Sequence, residues 1–167
     1  MEAEGPFVET EIIFEVCLLP SDLTNLMDGV KKSLYSQLMK YCEEVHGVLI
    51  SMSKINIINQ SSAIVDESPY LRFNVQAKVV AFQPKRGMIL SGIVNKTTAN
   101  TIGLLVYGVF NASIPEDLLS ENYKYDINKE QWLYDEDVVE VGNSIPFRVE
   151  RLNETIGILN ITGSVKE

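Results

Sequence analysis

The side chains that could carry out catalysis are few, and their spacing matches no catalytic or metal-binding pattern. His46 is the only histidine, and no serine or cysteine motif accompanies it, so a nucleophile activated by a neighbouring base is not indicated. Cys17 and Cys42 form no Cys-x-x-Cys pair and have no histidine cluster to complete a zinc site, so reduced thiols are favoured over a disulfide. The sequence also lacks phosphate-binding glycine loops and calcium-binding loops. We therefore expect a protein that is not an enzyme and needs no metal or cofactor.

Carboxylates are concentrated in one segment, residues 116–142. It holds nine acidic residues and two lysines, and this excess of seven negative charges is most of the chain's net charge of −9. Four aromatic residues, Tyr123, Tyr125, Trp132 and Tyr134, are interleaved with the acids. Two interpretations remain open. The segment is either a solvated insertion whose tryptophan packs on the neighbouring domain, or a docking surface for a basic protein that uses Tyr125, Trp132 and Tyr134.

Positive charge is scarce, which bears on nucleic-acid binding. The chain has 23 acidic and 14 basic residues, and its negative net charge opposes non-specific contact with phosphates. The candidate contacts to single-stranded RNA are three cations and one aromatic residue, namely Lys85, Arg86, Lys96 and Tyr107. Each phosphate neutralised on a single strand adds about −0.7 to the salt slope of binding, so three cations would give a slope of about −2. RNA is therefore expected as an auxiliary ligand.

The C-terminal half reads as a small β-barrel. The stretch Pro84–Pro115 contains three short apolar runs that are punctuated by glycines, and a polar hairpin loop, Asn95–Thr101, separates the first two. Ser144–Leu152 and Thr155–Ser164 are predicted to form a closing hairpin around Asn153–Glu154. Five strands of this kind are the strand count of an OB-fold barrel. The acidic segment is then an insertion before the closing hairpin.

The N-terminal half combines a helix with a sheet. Apolar residues recur three or four apart from Asp22 to Val45, which predicts a helix with one apolar face. Ile12–Leu19, Val48–Met52 and Lys54–Ile58 are predicted strands. Leu71–Phe82 shows the cleanest alternation of apolar and polar residues in the chain, which is typical of a strand with one buried face. The pattern predicts an α+β unit in which the helix covers one face of the sheet.

Several long segments resemble one family of RNA polymerase subunits. GIVNK and IGLLVYGVFNASIP lie in the first barrel strands, and SPYLRFNVQAKVVAFQPKRG leads into them. Upstream, LLPSDL precedes the predicted helix and LMKYCEEVHGVLISMSKI spans its end. From about Phe14 to Ser164, the chain is similar to the stalk subunit of RNA polymerase I. This family also contains the seventh subunit of RNA polymerase II and the corresponding stalk protein of the archaeal RNA polymerase.

The resemblance implies an α+β fold with two domains. An N-terminal ribonucleoprotein-like tip domain at residues 10–84 would precede an all-β OB-fold barrel at residues 85–167, which carries the insertion at 116–142. It also implies that the loop Tyr41–Val48 docks on the polymerase core. The residues expected to make this contact are Tyr41, Glu44, Val45, His46 and Gly47.

The same resemblance implies the partners and the location of the protein. We expect a non-catalytic stalk subunit of DNA-directed RNA polymerase I that acts in rRNA transcription initiation, in the nucleus and nucleolus. The expected partners are the other polymerase I subunits, including a smaller stalk subunit that forms a heterodimer with it, the polymerase I-specific initiation factor, and nascent RNA as a neighbour. The alternative is a free-standing OB-fold protein that binds single-stranded RNA.

No membrane partner or secretion is expected. Met1–Thr10 carries three glutamates and lacks the basic region of a signal peptide. No apolar run approaches the roughly 20 residues that a membrane-spanning helix needs.

Overall fold

The computed structural model describes residues 5–60 and 68–166. The chain divides into two compact units, Met1–Gln83 and Pro84–Glu167. The elements of the first unit are β1 (Phe7–Leu18), a 3-10 turn (Pro20–Asn25), α1 (Leu26–Tyr35), β2 (Tyr41–Cys42), a second 3-10 turn (Glu43–Val45), β3 (Gly47–Gln60) and β4 (Leu71–Phe82). Within the described residues, no helix has the length and apolar character needed to cross a bilayer.

The first unit is an antiparallel sheet in the order β1-β4-β3-β2, and α1 packs on one face of it. Val30 and Leu34 are buried on the helix and contact a cluster that includes Val16, Phe73 and Val75 on the strands. The predicted α+β arrangement, with the helix covering one sheet face, is confirmed.

Strand β4 has the bounds that the alternation predicts, Leu71–Phe82, and its apolar face is buried. Its polar face is paired with acidic residues of β1. Lys78 forms an ion pair with Glu9, and the hydrogen bond from Lys78 to Glu9 raises the pKa of the lysine. The Arg72 guanidinium lies 3.5 Å from the Glu15 carboxylate. Such cross-strand pairs favour the observed register, because a shift by one residue would move every charge to the core face.

The helix is shorter than the predicted range Asp22–Val45. Helical geometry of the α type begins only at Leu26, because Pro20–Asn25 forms a 3-10 turn. Proline fixes φ at the start of this turn, and the Leu19 N–H donates to the Asp22 carboxylate at 3.2 Å.

The chain leaves α1 through a turn that the apolar spacing does not reveal. Ser36 caps the helix, and Met39 adopts a left-handed φ of 62°. The Met39 N–H donates to the Leu49 carbonyl at 2.7 Å, which draws the chain alongside the sheet. Leu38 and Val45 therefore continue the three-to-four spacing although both lie outside the α-helix.

Two further strand boundaries differ from the predictions. Strand β1 begins at Phe7 rather than at Ile12, and it pairs with β4 along its whole length. The predicted strands Val48–Met52 and Lys54–Ile58 form one strand, β3. Register shifts against β4 interrupt its pairing, and they account for the apparent break in the sequence pattern.

The second unit begins with a barrel. Its elements are β5 (Ile89–Thr98), β6 (Thr101–Val106), β7 (Phe110–Pro115), a 3-10 turn (Glu116–Leu118), β8 (Tyr123–Asp126), β9 (Gln131–Tyr134), β10 (Asp137–Val138), β11 (Ser144–Thr155) and β12 (Ile158–Ser164). Strands β11-β12-β7-β6-β5 close into a barrel, in which the parallel pairing of β12 with β7 completes the ring. Strands β10-β9-β8 form a separate small sheet. The predicted OB-type barrel is confirmed.

Two hairpins of the barrel differ from the predictions. The β5–β6 hairpin has a shorter loop, and the β11–β12 hairpin turns farther along the chain. The predicted loop Asn95–Thr101 is mostly strand, because β5 continues to Thr98 and β6 begins at Thr101. The closing hairpin turns at Ile156–Gly157 rather than at Asn153–Glu154. Both turn residues have positive φ, 51° and 73°, which is the backbone of a tight two-residue hairpin. In each case the polar residues that suggest a loop are strand residues that face solvent.

The barrel core leaves no room for a side chain at two glycines, Gly92 and Gly163, and the closer approach is at Gly163. The buried side chains of the barrel are Leu90, Val94, Ile102, Leu104, Val106, Phe110, Ala112, Ile114, Ile145, Phe147, Val149, Leu159 and Ile161. A methyl group on Gly163 would overlap the ring of Phe147, which is itself 2% exposed and cannot move outward freely.

Replacing Gly163 with alanine should therefore destabilise the second unit by about 1–3 kcal/mol, because the added methyl overpacks the core. Trp132 is the only tryptophan and lies in this unit, so the thermal transition can be followed by its fluorescence. Gly5→Ala is the matched control, since a methyl group on Gly5 meets nothing within 4 Å. Equal transition temperatures for the two variants would contradict the packing described here.

Candidate functional site

The five residues predicted to dock on a larger assembly lie in one tight loop. We call Tyr41–Val48 the tip segment. Strand β2 pairs with the start of β3, so that Tyr41 faces Val48 and Cys42 faces Gly47 across the loop. The 3-10 turn between them ends at His46, whose φ of 48° reverses the chain. The tip segment is thus a closed loop whose exposed side chains are Glu43, Glu44 and His46.

Side-chain and backbone contacts hold the tip segment in place. The Cys42 thiol donates to the Glu44 carboxylate at 2.9 Å. Burial raises the pKa of Cys42, and the bond to Glu44 raises it further, while the same bond lowers the pKa of Glu44. On the other side, the Gln83 amide donates to the Val45 carbonyl at 2.7 Å.

Two of the predicted docking residues need correction. Val45 and Gly47 are buried, so they shape the loop and offer no surface to a partner. A Cβ on Gly47 would lie 2.5 Å from the Phe82 carbonyl oxygen, which explains why the chain has glycine there. Glu44 and His46 are exposed and remain candidates for contact.

Clefts lie on both sides of the tip segment. One, of about 310 Å³, is lined by the tip residues 41–44 together with apolar residues that include Phe14, Leu34 and Leu49. The other, of about 270 Å³, includes Glu44 and His46. Within residues 5–60 and 68–166, no group of His, Cys, Asp or Glu side chains is arranged to hold a metal ion.

The predicted RNA contacts are not gathered at one place. Lys85 and Arg86 precede β5, and Tyr107 follows β6 at the same end of the barrel, because Gly92 of β5 pairs with the last residue of β6. Lys96 lies four residues beyond Gly92, about 13 Å farther along the strand. Arg86 also lies 2.7 Å from the Glu150 carboxylate, which offsets its charge. A phosphate backbone that follows the barrel would therefore meet these cations at separate places.

The acidic insertion is folded, and its four aromatic residues share one face. Tyr125 pairs with Trp132 and Tyr123 with Tyr134 across β8 and β9. Since residues two apart in a strand point to the same side, the two pairs form one continuous aromatic surface. The ring centroids are 5.3 Å apart in the Tyr125–Trp132 pair and 4.8 Å apart in the Tyr123–Tyr134 pair.

The two ends of this surface differ in exposure. Trp132 is 2% exposed, and its indole N–H donates to the carbonyl of Thr98, the last residue of β5, at 2.7 Å. The interpretation that the tryptophan packs on the barrel is confirmed, and its place among the docking residues is wrong because it has no surface to offer. Tyr134 is 43% exposed.

The sequence pattern missed the residues beside Tyr134. Val138 on β10 and Pro146 on β11 are exposed next to it, and Tyr123 lies under its ring. Tyr123 could have been found, because the polar turn Ile127–Glu130 fixes the register that places it opposite Tyr134. Pro146 carries no local signal of this contact.

Comparison with known proteins identifies both units. A family model for the RPA43 OB domain in RNA Pol I matches residues 84–137. A second model, for the SHS2 domain found in the N terminus of Rpb7p/Rpc25p/MJ0397, matches residues 15–69. The first unit thus contains an SHS2 domain of the Rpb7 type, and the second unit contains an OB domain of the RPA43 type.

Curated relatives agree with this placement. The DNA-directed RNA polymerase I subunit RPA43 of Homo sapiens is 32% identical over 151 residues, which is 90% of this chain and 42% of the relative. The protein of the same name from Danio rerio is 32% identical, and the match covers 89% of this chain and 36% of the Danio rerio protein. The rpa43 subunit of Schizosaccharomyces pombe is 24% identical over 89% of both chains. The chain thus spans about two fifths of the length of the vertebrate relatives it matches.

The two thiols of the chain should differ in reactivity. Cys17 is exposed, whereas Cys42 is half-buried and has a raised pKa, and neither is in a disulfide in the described structure. At pH 8, iodoacetamide should modify Cys17 well before Cys42, as peptide mass spectrometry can measure. Glu44→Gln should speed the modification of Cys42, because it removes the charge that disfavours the thiolate.

The same shift gives a sign for the pH dependence of stability. Folding raises the pKa of Cys42 above its ordinary value of 9.0, so the folded state holds this proton more tightly than the unfolded state. The resulting stabilisation is complete below pH 9 and is lost as the pH rises through the folded-state pKa. Cys42→Ser should remove this alkaline loss, and an unchanged pH profile would contradict the assignment.

Proposed function

We propose that the chain is a non-catalytic stalk subunit of DNA-directed RNA polymerase I. The observation that carries the proposal is the pairing of an SHS2 domain of the Rpb7 type with an OB domain of the RPA43 type in one chain. Relatives over most of this chain are named as RNA polymerase I subunits. The proposed site of action is the nucleus, and within it the nucleolus.

The tip segment is the proposed contact with the polymerase core. Glu44 and His46 project from a loop whose shape is fixed by Val45, Gly47 and the bond from Gln83. A loop of defined shape loses little conformational entropy on docking, which favours insertion between other subunits. The domain at residues 10–84 would thus anchor the protein, and the OB domain at 85–167 would present surfaces for further partners, including a smaller stalk subunit.

The insertion is the proposed docking surface for the polymerase I-specific initiation factor. Its exposed aromatic residue, Tyr134, is surrounded by acidic residues, and this combination is suited to binding a basic protein surface. Nascent RNA would be a neighbour of the barrel and a weak ligand of it, because Arg86 is paired with Glu150 and Lys96 lies apart. The protein would thus support transcription initiation through protein contacts.

Affinity purification of the intact tagged protein should recover the large subunits of RNA polymerase I. The double variant Glu44→Arg/His46→Glu should reduce this recovery several-fold, because it changes the charge of two exposed tip residues without touching the buried ones. Ile127→Ser, at an 81% exposed position in the β8–β9 turn, is the control and should leave recovery unchanged. Recovery of RNA polymerase II or III subunits in place of polymerase I would overturn the assignment.

The alternative, a free-standing RNA-binding protein, makes a different prediction for salt dependence. We expect the isolated protein to bind single-stranded oligouridine weakly, with a salt slope no steeper than about −2. Lys96→Gln should make the slope shallower by about 0.7, the share of one phosphate contact. A slope steeper than about −3, measured by fluorescence polarisation at several salt concentrations, would favour the alternative over the polymerase role.

A further inference from the structure

A groove of about 480 Å³ lies between the small insertion sheet and strand β11 of the barrel. We call it the insertion groove. Its apolar and aromatic lining is Tyr123, Tyr134, Val138, Val139, Ile145, Pro146 and Val165, and its polar lining is Ser120, Asp137, Asn143 and Ser144. A volume of this size is enough for one large side chain together with the peptide backbone on either side of it.

Backbone hydrogen bonds fix both walls of the insertion groove. The Tyr123 N–H donates to the Ser120 carbonyl at 3.0 Å, which sets the entry to β8. The Val165 N–H donates to the Leu118 carbonyl at 3.0 Å and holds the opposite wall. The Asn143 side chain accepts a hydrogen bond from the Glu140 N–H at 2.7 Å and fixes the loop before β11. The groove is therefore formed before any ligand arrives, which lowers the entropy cost of binding.

The floor of the groove is an aromatic platform with two exposed apolar neighbours. Burial raises the pKa of Tyr123, and the adjacent Tyr134 hydroxyl adds to the effect, so the Tyr123 ring stays neutral over the physiological range. Tyr134 is 43% exposed and Val138 is 40% exposed, while Pro146 is exposed beside them. Such a cluster of a supported aromatic ring, an aliphatic side chain and a proline is suited to packing against an apolar side chain.

The surroundings of the groove are negatively charged. Asp137 lines it, Asp135 and Glu136 lie in the turn before β10, and Glu140 follows. A second cavity of about 540 Å³ shares Ser120, Tyr134 and Val165 with the groove and extends it past Glu121. Lys166 lines this extension and is its cation, so the excess of charge along the combined path is still negative.

We propose that the insertion groove binds a short, extended segment of a partner protein in which an apolar or aromatic side chain is flanked by lysine or arginine. The apolar residue would pack on Tyr134 between Val138 and Pro146, and the flanking cations would face Asp137 and Glu121. This inference rests on the partner-docking role proposed above and specifies its surface and chemistry. RNA is disfavoured because the carboxylates repel phosphates, and a second copy is disfavoured because each chain carries a net charge of −9.

Fluorescence polarisation with a synthetic peptide tests the proposal. The probe is fluorescein-labelled Gly-Lys-Lys-Phe-Leu-Lys-Lys-Gly, compared with one peptide in which Glu replaces every Lys and one in which Ala replaces Phe and Leu. The intact protein should bind the first peptide at low salt and bind both others at least about fivefold more weakly, as expected when a contact of central importance is removed.

Matched variants locate the binding. Tyr134→Ser and Val138→Arg should each weaken the first peptide at least about fivefold, whereas Ile127→Ser, in the same insertion but outside the groove, should not. Asp137→Asn should weaken it and Glu130→Gln, an exposed acid in the β8–β9 turn, should have a smaller effect. Unchanged fluorescence of Trp132 in each variant verifies that the insertion remains folded.

Three outcomes would overturn the proposal. The first is equal affinity for the lysine and glutamate peptides. The second is equal binding of the first peptide by the Tyr134→Ser and Ile127→Ser variants. The third is a dimer of the protein that the Tyr134→Ser substitution dissociates. If the peptide does not bind but polymerase I subunits are recovered in the purification, only the proposal for the groove is refuted. If the peptide binds but polymerase I subunits are not recovered, only the assignment to the polymerase is refuted.

Discussion

The hydrogen bond from the Trp132 indole to the Thr98 carbonyl holds the acidic insertion on the barrel. Strands β8, β9 and β10 are two to four residues long, and sheets this small are marginal in water unless they pack on a larger body. Burial of the indole supplies the apolar contact, and the bond to Thr98 satisfies the one polar atom that burial would otherwise leave without a partner. The position of Tyr134, on the same face of the same strand, follows from this anchor.

The anchor also explains how one aromatic face can have two roles. At one end, Tyr125 and Trp132 face the barrel and contribute to stability; at the other, Tyr123 supports Tyr134 beside the groove. The acids lie around this face rather than under it, so their mutual repulsion is relieved by water. Most of the net negative charge of the chain is thereby displayed by residues 116–142, the segment that contains this small sheet. A basic partner would be attracted to that sheet before it contacts either Val138 or Pro146.

The sequence was most informative where a pattern and the tertiary structure impose the same period. The alternation of Leu71–Phe82 predicts β4 with its correct bounds, because both faces of that strand are decided by burial and by pairing with β1. The spacing from Asp22 to Val45 misleads, because the helix ends at Tyr35 and the chain after it is held beside the sheet by a hydrogen bond from Met39 to Leu49. The sequence places Trp132 in the insertion but does not predict how far it is buried. The groove could not be predicted, because Tyr134, Pro146 and Val165 come together only when the barrel closes.

The match to the OB-domain model and the lining of the insertion groove overlap only in part. The match to the RPA43 OB domain ends at residue 137, whereas the lining of the groove continues through Val138, Pro146 and Val165. This match therefore covers barrel strands β5, β6 and β7 and the strand that carries Tyr134, but it does not reach β11, which lies opposite Tyr134 in the groove. OB barrels commonly bind single strands through cations and stacked bases. Here Glu150 offsets Arg86 and the exposed aromatic residue beside the groove is surrounded by carboxylates, so the same fold is better suited to a cationic peptide than to a polyanion.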